Sequence, residues 1–516
     1  MVIIGILGGM QSIAFILMWS PWQKTVLGIF EKYEGVLIRF RVVGILQALI
    51  SAALLPFLTL GPTGKDFADM IPRLWIFWAA VLGVAIVLKT WAPESKTSLI
   101  YAVTIIGVAV FFKLAAYIPD VSTYPFSLAW SESNRYYYAS LLFSQKIWGR
   151  DLPLSPWHPS RYMLQSLPFL ISGLPLWIHR LWQVLLWVLM PVLSGIALAR
   201  RLPLRGHIQT SMFIAWVFLF FSQGPVYYHL HICLIIILLG FDSQRFWRSL
   251  ILVVIASIWA GISRVNWVPV PAFIAGAIYL IEMPVNRAKN IREYLSRPFF
   301  WSLAGGVAAV LSQMAYVNLS GNDVTKFGSS FTSNLLWYRL WPNETFKPGI
   351  LPAILLVSAP LLLVIIFHLR QTLRVWHPIR ILGLGAILLT LFVGGLAVSV
   401  KIGGGSNLHN LDAYIVLLLI VGAYLYYGQF SPETPTGTSG VFRRISNWVL
   451  GFAIGVPVCL SLLSGVPVQS RNSAQVENAL QELRRTTSQA AMAGEDVLFI
   501  SNRHLLLFDL IPDVPL

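Results

Sequence analysis

Residues 381–400 have the sequence ILGLGAILLTLFVGGLAVSV, a run of apolar and small residues without a single charge. A helix needs about 20 such residues to cross the hydrocarbon core of a bilayer. Similar runs recur along the whole chain, near residues 2–19, 37–60, 73–89, 98–117, 177–199, 209–222, 226–240, 249–263, 267–283, 299–317, 350–368, 381–400, 412–427 and 446–466. Since the shorter runs can merge, the pattern predicts an all-α polytopic membrane protein with about 12–14 transmembrane helices.

The composition excludes several other classes of protein. Of the 516 residues, 57% are hydrophobic and 11% are charged, whereas soluble domains carry about 25% charged residues. The two cysteines, Cys233 and Cys459, both lie inside apolar runs. We interpret them as small packing residues, because two cysteines build neither a disulfide framework nor a metal site. The alternating strands of a porin-type barrel are not seen in the sequence.

The net charge of +16 follows the predicted topology. More than half of the 37 lysines and arginines fall in every second loop, as Arg200, Arg201 and Arg205 do after the run 177–199. The positive-inside rule assigns these loops to the cytoplasm, so the excess charge does not indicate nucleic-acid binding. The opposite, extracytoplasmic side then receives a first loop (118–176), a second loop (318–349), a third loop (401–411) and a tail (467–516).

The tail differs in character from the membrane domain, which spans residues 1–466. Residues 473–491 have helical spacing of their apolar side chains, and Gly494 predicts the end of that helix. Val497–Ser501 has the composition of a short strand. We therefore expect a short extracytoplasmic α/β tail, which we interpret as the start of a truncated soluble domain.

The first loop contains the densest group of residues able to carry chemistry. Carboxylates could act as a general base, while Arg, Tyr and His donate hydrogen bonds to a substrate or a phosphate. The candidates are Asp120, Glu132, Arg135, Tyr136, His158 and Arg161. Ser131 is the predicted N-cap of the helix that carries Glu132. The alternative is an interfacial helix with an aromatic belt and a capping acid.

The third loop is the second candidate site. Gly403–Gly405 would let backbone amides approach an anion closely, and the neighbouring side chains add charge and hydrogen bonds. These are Lys401, Asn407, His409 and Asp412. Arg264, between two apolar runs, could bind the same phosphate or extend to the membrane surface. The alternative for the third loop is a flexible hairpin. His229 and His231 are two residues apart and would diverge on a helix, so they predict no metal site.

One motif resembles a known family. The stretch Trp130-Ser-Glu132-Ser-Asn-Arg135-Tyr136 resembles the D-E-x-R-Y signature of the aminoarabinose and protein mannosyl transferases, which are GT-C glycosyltransferases. Ser131 stands in place of the first acid, and one extra residue separates Glu132 from Arg135. The run GGGSN-x-H-N-x-D-x-Y, residues 403–414, is similar to a late loop of bacterial GT-C-like membrane proteins. The many spans and the long first loop also resemble GT-C architecture.

The resemblance implies a membrane glycosyltransferase of the bacterial inner membrane, with its site on the extracytoplasmic side. Its partners would be the bilayer, a polyprenyl-phosphate-linked sugar as donor, and a glycan, lipid or protein as acceptor. Glu132 or Asp120 would be the base, and Lys401, Arg135 or Arg264 would stabilise the departing phosphate. Because Ser131 removes one of two paired acids, we expect no cofactor, a divalent metal being the alternative. Two other functions stay open: a transporter or flippase of lipid-linked saccharides, and a non-catalytic membrane subunit.

Overall fold

A computed structural model of the chain describes residues 12, 23–129, 131–157, 159–327, 334–372, 376–401, 408–433, 445–468 and 471–511. Within these ranges the chain is helical and contains no β-strand. The prediction of an all-α membrane domain is therefore confirmed for the described residues.

The described residues form helices of very different lengths. In chain order the α-helices are α1 Gln23–Arg39, α2 Arg41–Leu60, α3 Met70–Trp91, α4 Thr97–Ala115, α5 Glu132–Ser140, α6 Ser144–Trp148, α7 Pro159–Gln165, α8 Leu176–Ala199, α9 Gly206–Gln223, α10 His231–Gly240, α11 Phe246–Gly261, α12 Val270–Glu282, α13 Ile291–Leu319, α14 Ile350–Thr372, α15 Pro378–Lys401, α16 Asp412–Tyr426, α17 Asn447–Leu462, α18 Ser473–Met492 and α19 His504–Leu507. Short 3-10 helices lie at Gly64–Phe67, Ile118–Asp120, Leu141–Phe143, Leu167–Leu170, Val265–Trp267, Val285–Arg287, Val324–Phe327, Trp337–Leu340 and His409–Leu411.

Nine helical stretches among the described residues are long and apolar enough to cross a membrane. They are Arg41–Leu60, Met70–Trp91, Thr97–Asp120, Leu176–Ala199, Val265–Glu282, Ile291–Leu319, Ile350–Arg370, Pro378–Lys401 and His409–Tyr426. Three shorter apolar helices, α10, α11 and α17, accompany them. These helices indicate a multi-pass membrane protein. The predicted span at residues 2–19 lies outside the described residues, apart from Ser12.

The described chain divides into two compact units. The first comprises Met1–Pro119 and Ile454–Asn472, and the second comprises Asp120–Ala453 and Ser473–Leu516. In the first unit the buried Arg73 joins distant segments, because its guanidinium donates to the carbonyl oxygens of Phe67 and Leu462 at 2.9 and 2.6 Å. The candidate site residues all belong to the second unit.

Close packing of α11 against α13 positions one part of the candidate site. A Cβ atom added at Gly261 would lie 2.1 Å from the carbonyl oxygen of Ala309, so only glycine permits this approach. Small residues play the same part in membrane helices generally, where they let two backbones come together. Since Gly261 ends α11, this contact fixes where the chain turns toward Arg264 and the helical turn Val265–Trp267.

The tail contains the predicted helix but not the predicted strand. Helix α18 spans Ser473–Met492, and Gly494 follows it with a φ of 73°, as expected for a helix-ending glycine. Residues 497–501 form no strand, because a strand requires a neighbour and the described chain provides none. Instead Phe499 packs on a cluster formed by Leu480, Leu505 and Ile511, together with Phe126 of the first loop. The α/β prediction for the tail is therefore wrong in the described residues.

Candidate functional site

The first, second and third loops come together within the second unit. The backbone amide of Leu154 donates to Ser320 at 2.8 Å, which joins the first loop to the second. The amide of Leu336 donates to Val400 at 2.7 Å, where α15 ends and the third loop begins. The second loop therefore contacts both the first loop and the end of α15, from which the third loop continues.

Tyr227 is the point at which several candidate side chains converge. The guanidinium carbon of Arg161 lies 4.9 Å from the centre of its ring, and that of Arg264 lies 5.5 Å away. The rings of His409 and Trp187 contact Tyr227 at centroid distances of 5.8 and 5.4 Å. One half-buried aromatic ring therefore links the first loop, the connection between α11 and α12, and the third loop.

Arg135 and Arg161 form an un-neutralised cationic pair. Both side chains are half-buried, and neither is paired with a carboxylate among the residues that the structure describes. Burial lowers the pKa of Arg135, and the neighbouring charge of Arg161 lowers it further. The Nε atom of Arg161 is buried without a hydrogen-bond partner. The two like charges repel each other, so this region carries a net positive charge that would attract an anion.

The tyrosines around this pair are neutral donors. Burial raises the pKa of Tyr162 to about 12 and also raises that of Tyr228, although the nearby Arg161 opposes both shifts. The Tyr228 hydroxyl donates toward the Arg161 carbonyl and the Gln165 side chain, both at 3.4 Å. These phenols can therefore orient a ligand or a loop, but they do not act as bases near neutral pH.

Arg264 is held by a buried network around Asp412. One guanidinium nitrogen of Arg264 donates to Asp412 at 3.0 Å, and the other donates to the Asn410 side chain at 2.6 Å. The other carboxylate oxygen of Asp412 accepts from the Trp267 indole at 2.8 Å and from Asn266 at 3.3 Å. Asp412 is fully buried and its oxygens are occupied. Its role in this geometry is to fix Arg264 in place.

Glu132 is engaged in a similar way by Arg180. The two side chains form a bidentate ion pair, with nitrogen to oxygen distances of 2.8 and 3.2 Å. The amide of Leu128 donates to the second carboxylate oxygen at 2.5 Å. Arg180 also donates to the carbonyls of Ser122 and Tyr124, both at 2.7 Å. This buried pair therefore shapes the first loop.

Tyr136 lies beside the ion pair of Glu132 and Arg180, and not between Arg135 and Arg161. Its hydroxyl is 3.5 Å from Glu132, and burial raises its pKa. Its ring is fully buried and contacts those of His179 and Phe508 at 6.0 and 5.8 Å. Tyr136 therefore contributes to the packing between the first loop and the tail.

Of the remaining predicted residues, the structure describes Asp120 and Lys401. Asp120 is exposed at the end of the stretch Thr97–Asp120, and Lys401 is the last residue of α15. His158, Asn407 and Gly403–Gly405 lie outside the described residues.

Arg180 and Tyr227 are the residues that the sequence patterns did not assign to the site. The sequence signal available for Arg180 was its charge near the start of the apolar run 177–199. Tyr227 was conspicuous only as a neighbour of the two histidines considered as metal ligands. No pattern in the sequence showed that arginines from distant segments would stack on its ring.

The candidate site is rich in guanidinium groups. Across the described ranges, no group of three or more His, Cys, Asp and Glu side chains is arranged to hold a metal. By contrast, Arg135 and Arg161 supply guanidinium groups, which bind carboxylate and phosphate oxygens through paired hydrogen bonds.

Comparisons with known proteins identify no relative. No family model matches the chain, and neither the curated proteins nor the solved structures give a match.

Proposed function

We propose that the protein is a membrane glycosyltransferase that moves a sugar from a polyprenyl-phosphate donor to an acceptor at the extracytoplasmic face. The observation that carries the proposal is the pair Arg135 and Arg161, which is half-buried and has no carboxylate partner among the described residues. A lipid-linked phosphate would neutralise both cations, and its hydrocarbon chain would lie among the apolar helices of the same unit.

The departing phosphate explains why such a pair would be useful. As the bond between the anomeric carbon and the phosphate oxygen breaks, the electron pair and the negative charge go to the phosphate. Fixed cations that stabilise this charge lower the barrier, because they need no rearrangement during the reaction. In this proposal Arg135 and Arg161 hold the phosphate. Arg264 adds no net charge here, because it is already paired with the buried Asp412.

The transfer also needs a base. The acceptor hydroxyl oxygen attacks the anomeric carbon, a carboxylate takes the hydroxyl proton, and polyprenyl phosphate leaves. Both oxygens of Glu132 are already hydrogen-bonded to Arg180 or Leu128. We therefore assign the base to Asp120, whose side chain is exposed to an incoming acceptor.

Binding of polyprenyl phosphate to the purified full chain in nanodiscs tests the anion site. Arg161→Gln and Arg135→Gln should each weaken binding about ten- to hundredfold, since a hydrogen bond to a charged group contributes about 1.5–3 kcal/mol. Arg150→Gln is the matched control, because Arg150 is an exposed arginine of the same loop. Equal losses of affinity in all three variants would show that only the overall charge matters, and would contradict a phosphate site at Arg135 and Arg161.

A second measurement separates transfer from transport. Asp120→Asn should bind polyprenyl phosphate as the unchanged protein does, but it should transfer no sugar from a radiolabelled polyprenyl-phosphate donor. A wild-type chain that moves the intact donor across vesicle membranes without cleaving it would be a flippase, and the proposed function would then be abandoned.

A further inference from the structure

A polar cavity lies in another part of the second unit. It has a volume of about 250 Å³, and its walls include Arg201, Ser243, Arg248 and Glu282. These residues follow α8 and α10, begin α11 and end α12. The charge pattern assigns these loops to the side of the membrane opposite the first loop. The cavity therefore shares no residue with the cationic site around Tyr227.

The acids of this cavity are already neutralised. Glu282 forms an ion pair with Arg201 at 2.7 Å and also accepts hydrogen bonds from Ser243 and Tyr424. Asp242 pairs with Arg245 at 3.4 Å. Arg201 is largely occupied as well, since it also donates to the carbonyl of Phe241 at 2.9 Å. Neither carboxylate leaves an unbalanced negative charge in the cavity.

Two further arginines near the cavity carry charges that no carboxylate balances in the described residues. Arg248 lines the cavity and is exposed. Arg297, from α13, reaches the rim, where it makes long contacts of 3.4 Å with the carbonyls of Ser243 and Gln244. Neither guanidinium has a carboxylate partner in the described part of the chain. The cavity is therefore equipped for an anion.

The helices that extend from this cavity expose apolar side chains. On α11, Trp247 and Ile251 are 72% and 58% exposed, and on α13, Phe299, Phe300 and Leu303 are also exposed. Both helices are apolar, and α13 is long enough to cross a bilayer. A ligand that matches this arrangement has an anionic head and hydrocarbon chains.

We propose that this cavity binds the headgroup of an anionic phospholipid, whose acyl chains lie along α11 and α13. Basic pockets between membrane helices on the cytoplasmic side bind such headgroups in other proteins. In this protein Arg248 and Arg297 contact the phosphate, and the Arg201–Glu282 pair forms the wall behind it. The site is independent of the proposed glycosyl transfer.

Native mass spectrometry of the full chain in detergent tests this site, with cardiolipin and phosphatidylcholine as probes. The unchanged protein should retain one cardiolipin about tenfold more tightly than phosphatidylcholine, and Arg248→Gln with Arg297→Gln should abolish that preference. Arg287→Gln with Arg292→Gln is the control, because it removes two exposed cations from the same group of loops outside the cavity. The control should keep the preference.

Three outcomes would overturn the proposal. They are equal retention of both lipids by the unchanged protein, an equal loss in the control variant, and displacement of cardiolipin by excess inorganic phosphate. The last would show a site for free phosphate. If the double variant does not fold, Arg248→Gln alone serves, since the Arg248 side chain is exposed and its removal leaves the packing intact.

Discussion

At the scale of single residues, the ion pair of Glu132 and Arg180 determines how the first loop is built. Arg180 is buried, and besides Glu132 it binds three backbone carbonyls, those of Ser122, Tyr124 and Phe126. Each of these groups would be costly to bury alone. The pair therefore holds Ser122, Tyr124, Phe126 and Glu132 against the start of α8.

Glu132→Gln should destabilise the folded protein. Removing one partner of a buried ion pair leaves an uncompensated charge, which typically costs about 3–5 kcal/mol. Thermal unfolding of the purified variant measures the loss. Glu477→Gln should have a small effect, because Glu477 faces Arg484 across 3.7 Å at an exposed site on α18. A fully stable Glu132→Gln variant without transfer activity would instead restore Glu132 as the base.

The sequence drew attention to the charged residues of the candidate site, but it did not predict their partners. Arg135, Arg161, Arg264 and Asp412 stand out because charges are rare in this chain. Their pairing does not follow from local spacing, since Arg180 lies 48 residues after Glu132. An acid beside Arg and Tyr in sequence indicates a base, whereas the folded chain supplies a buried cation that occupies it.

At the scale of elements, the tail is attached to the first loop through His504. Its Nε2 atom lies 2.8 Å from the carbonyl of Pro125, and its backbone amide donates to the Ser133 hydroxyl at 3.3 Å. Its Nδ1 atom is buried without a hydrogen-bond partner. The docked imidazole is therefore neutral, with its proton on Nε2.

Docking of the tail should weaken as the pH falls. Burial lowers the pKa of His504, an effect that Arg180 reinforces and that Glu132 and the Pro125 carbonyl oppose. Above the usual histidine pKa of about 6.5, both docked and undocked forms are neutral and docking is at full strength. Below it, only the undocked form readily takes a proton. The protection of the α18 amides against hydrogen exchange, measured relative to their intrinsic exchange rate at each pH, should therefore fall under mildly acidic conditions.

The control for this prediction is a variant that cannot titrate. His504→Asn should remove the change in protection with pH, while His207→Gln, at an exposed histidine, should preserve it. If the protection of α18 falls equally with pH in the unchanged protein and in both variants, the effect belongs to another group.

The contact between α11 and α13 makes a sharper prediction about packing. Gly261→Ala should force the helices apart, since its Cβ would overlap the Ala309 carbonyl oxygen. Overpacking of this kind typically costs about 1–3 kcal/mol. Gly306→Ala, on α13, is the matched control because no atom lies within 4 Å of its added Cβ. Thermal unfolding should show a loss for the first variant and none for the second.

Helices in this chain were predictable because their signals are local. An apolar run of sufficient length specifies a spanning helix, and Gly494 marks the end of α18. The strand expected at Val497–Ser501 failed because pairing depends on a second segment elsewhere in the chain. Leu498 and Ile500 are residue types typical of strands, but they are 82% and 77% exposed because no neighbouring strand among the described residues covers them.

At the scale of the whole molecule, the charge pattern predicts the orientation of the chain in the membrane. With Cys233 and Cys459 replaced, Glu344→Cys in the second loop should react with an impermeant maleimide in intact cells. Gln244→Cys, in a cation-rich loop, should react only after permeabilisation. Both positions are exposed, so accessibility to the reagent reports the side of the membrane. The reverse pattern of labelling would invert the orientation and move the proposed site to the cytoplasm.

The Arg264–Asp412 pair also affects how the protein is made. The two residues are 148 positions apart, and Arg264 reaches the membrane first. At typical rates of about 5–20 residues per second, roughly 7–30 s of translation separate them. During that interval the nascent chain carries an arginine without its carboxylate. A quality-control protease that recognises unpaired charges could act during this interval. In a chain terminated before Asp412, Arg264 would stay unpaired permanently.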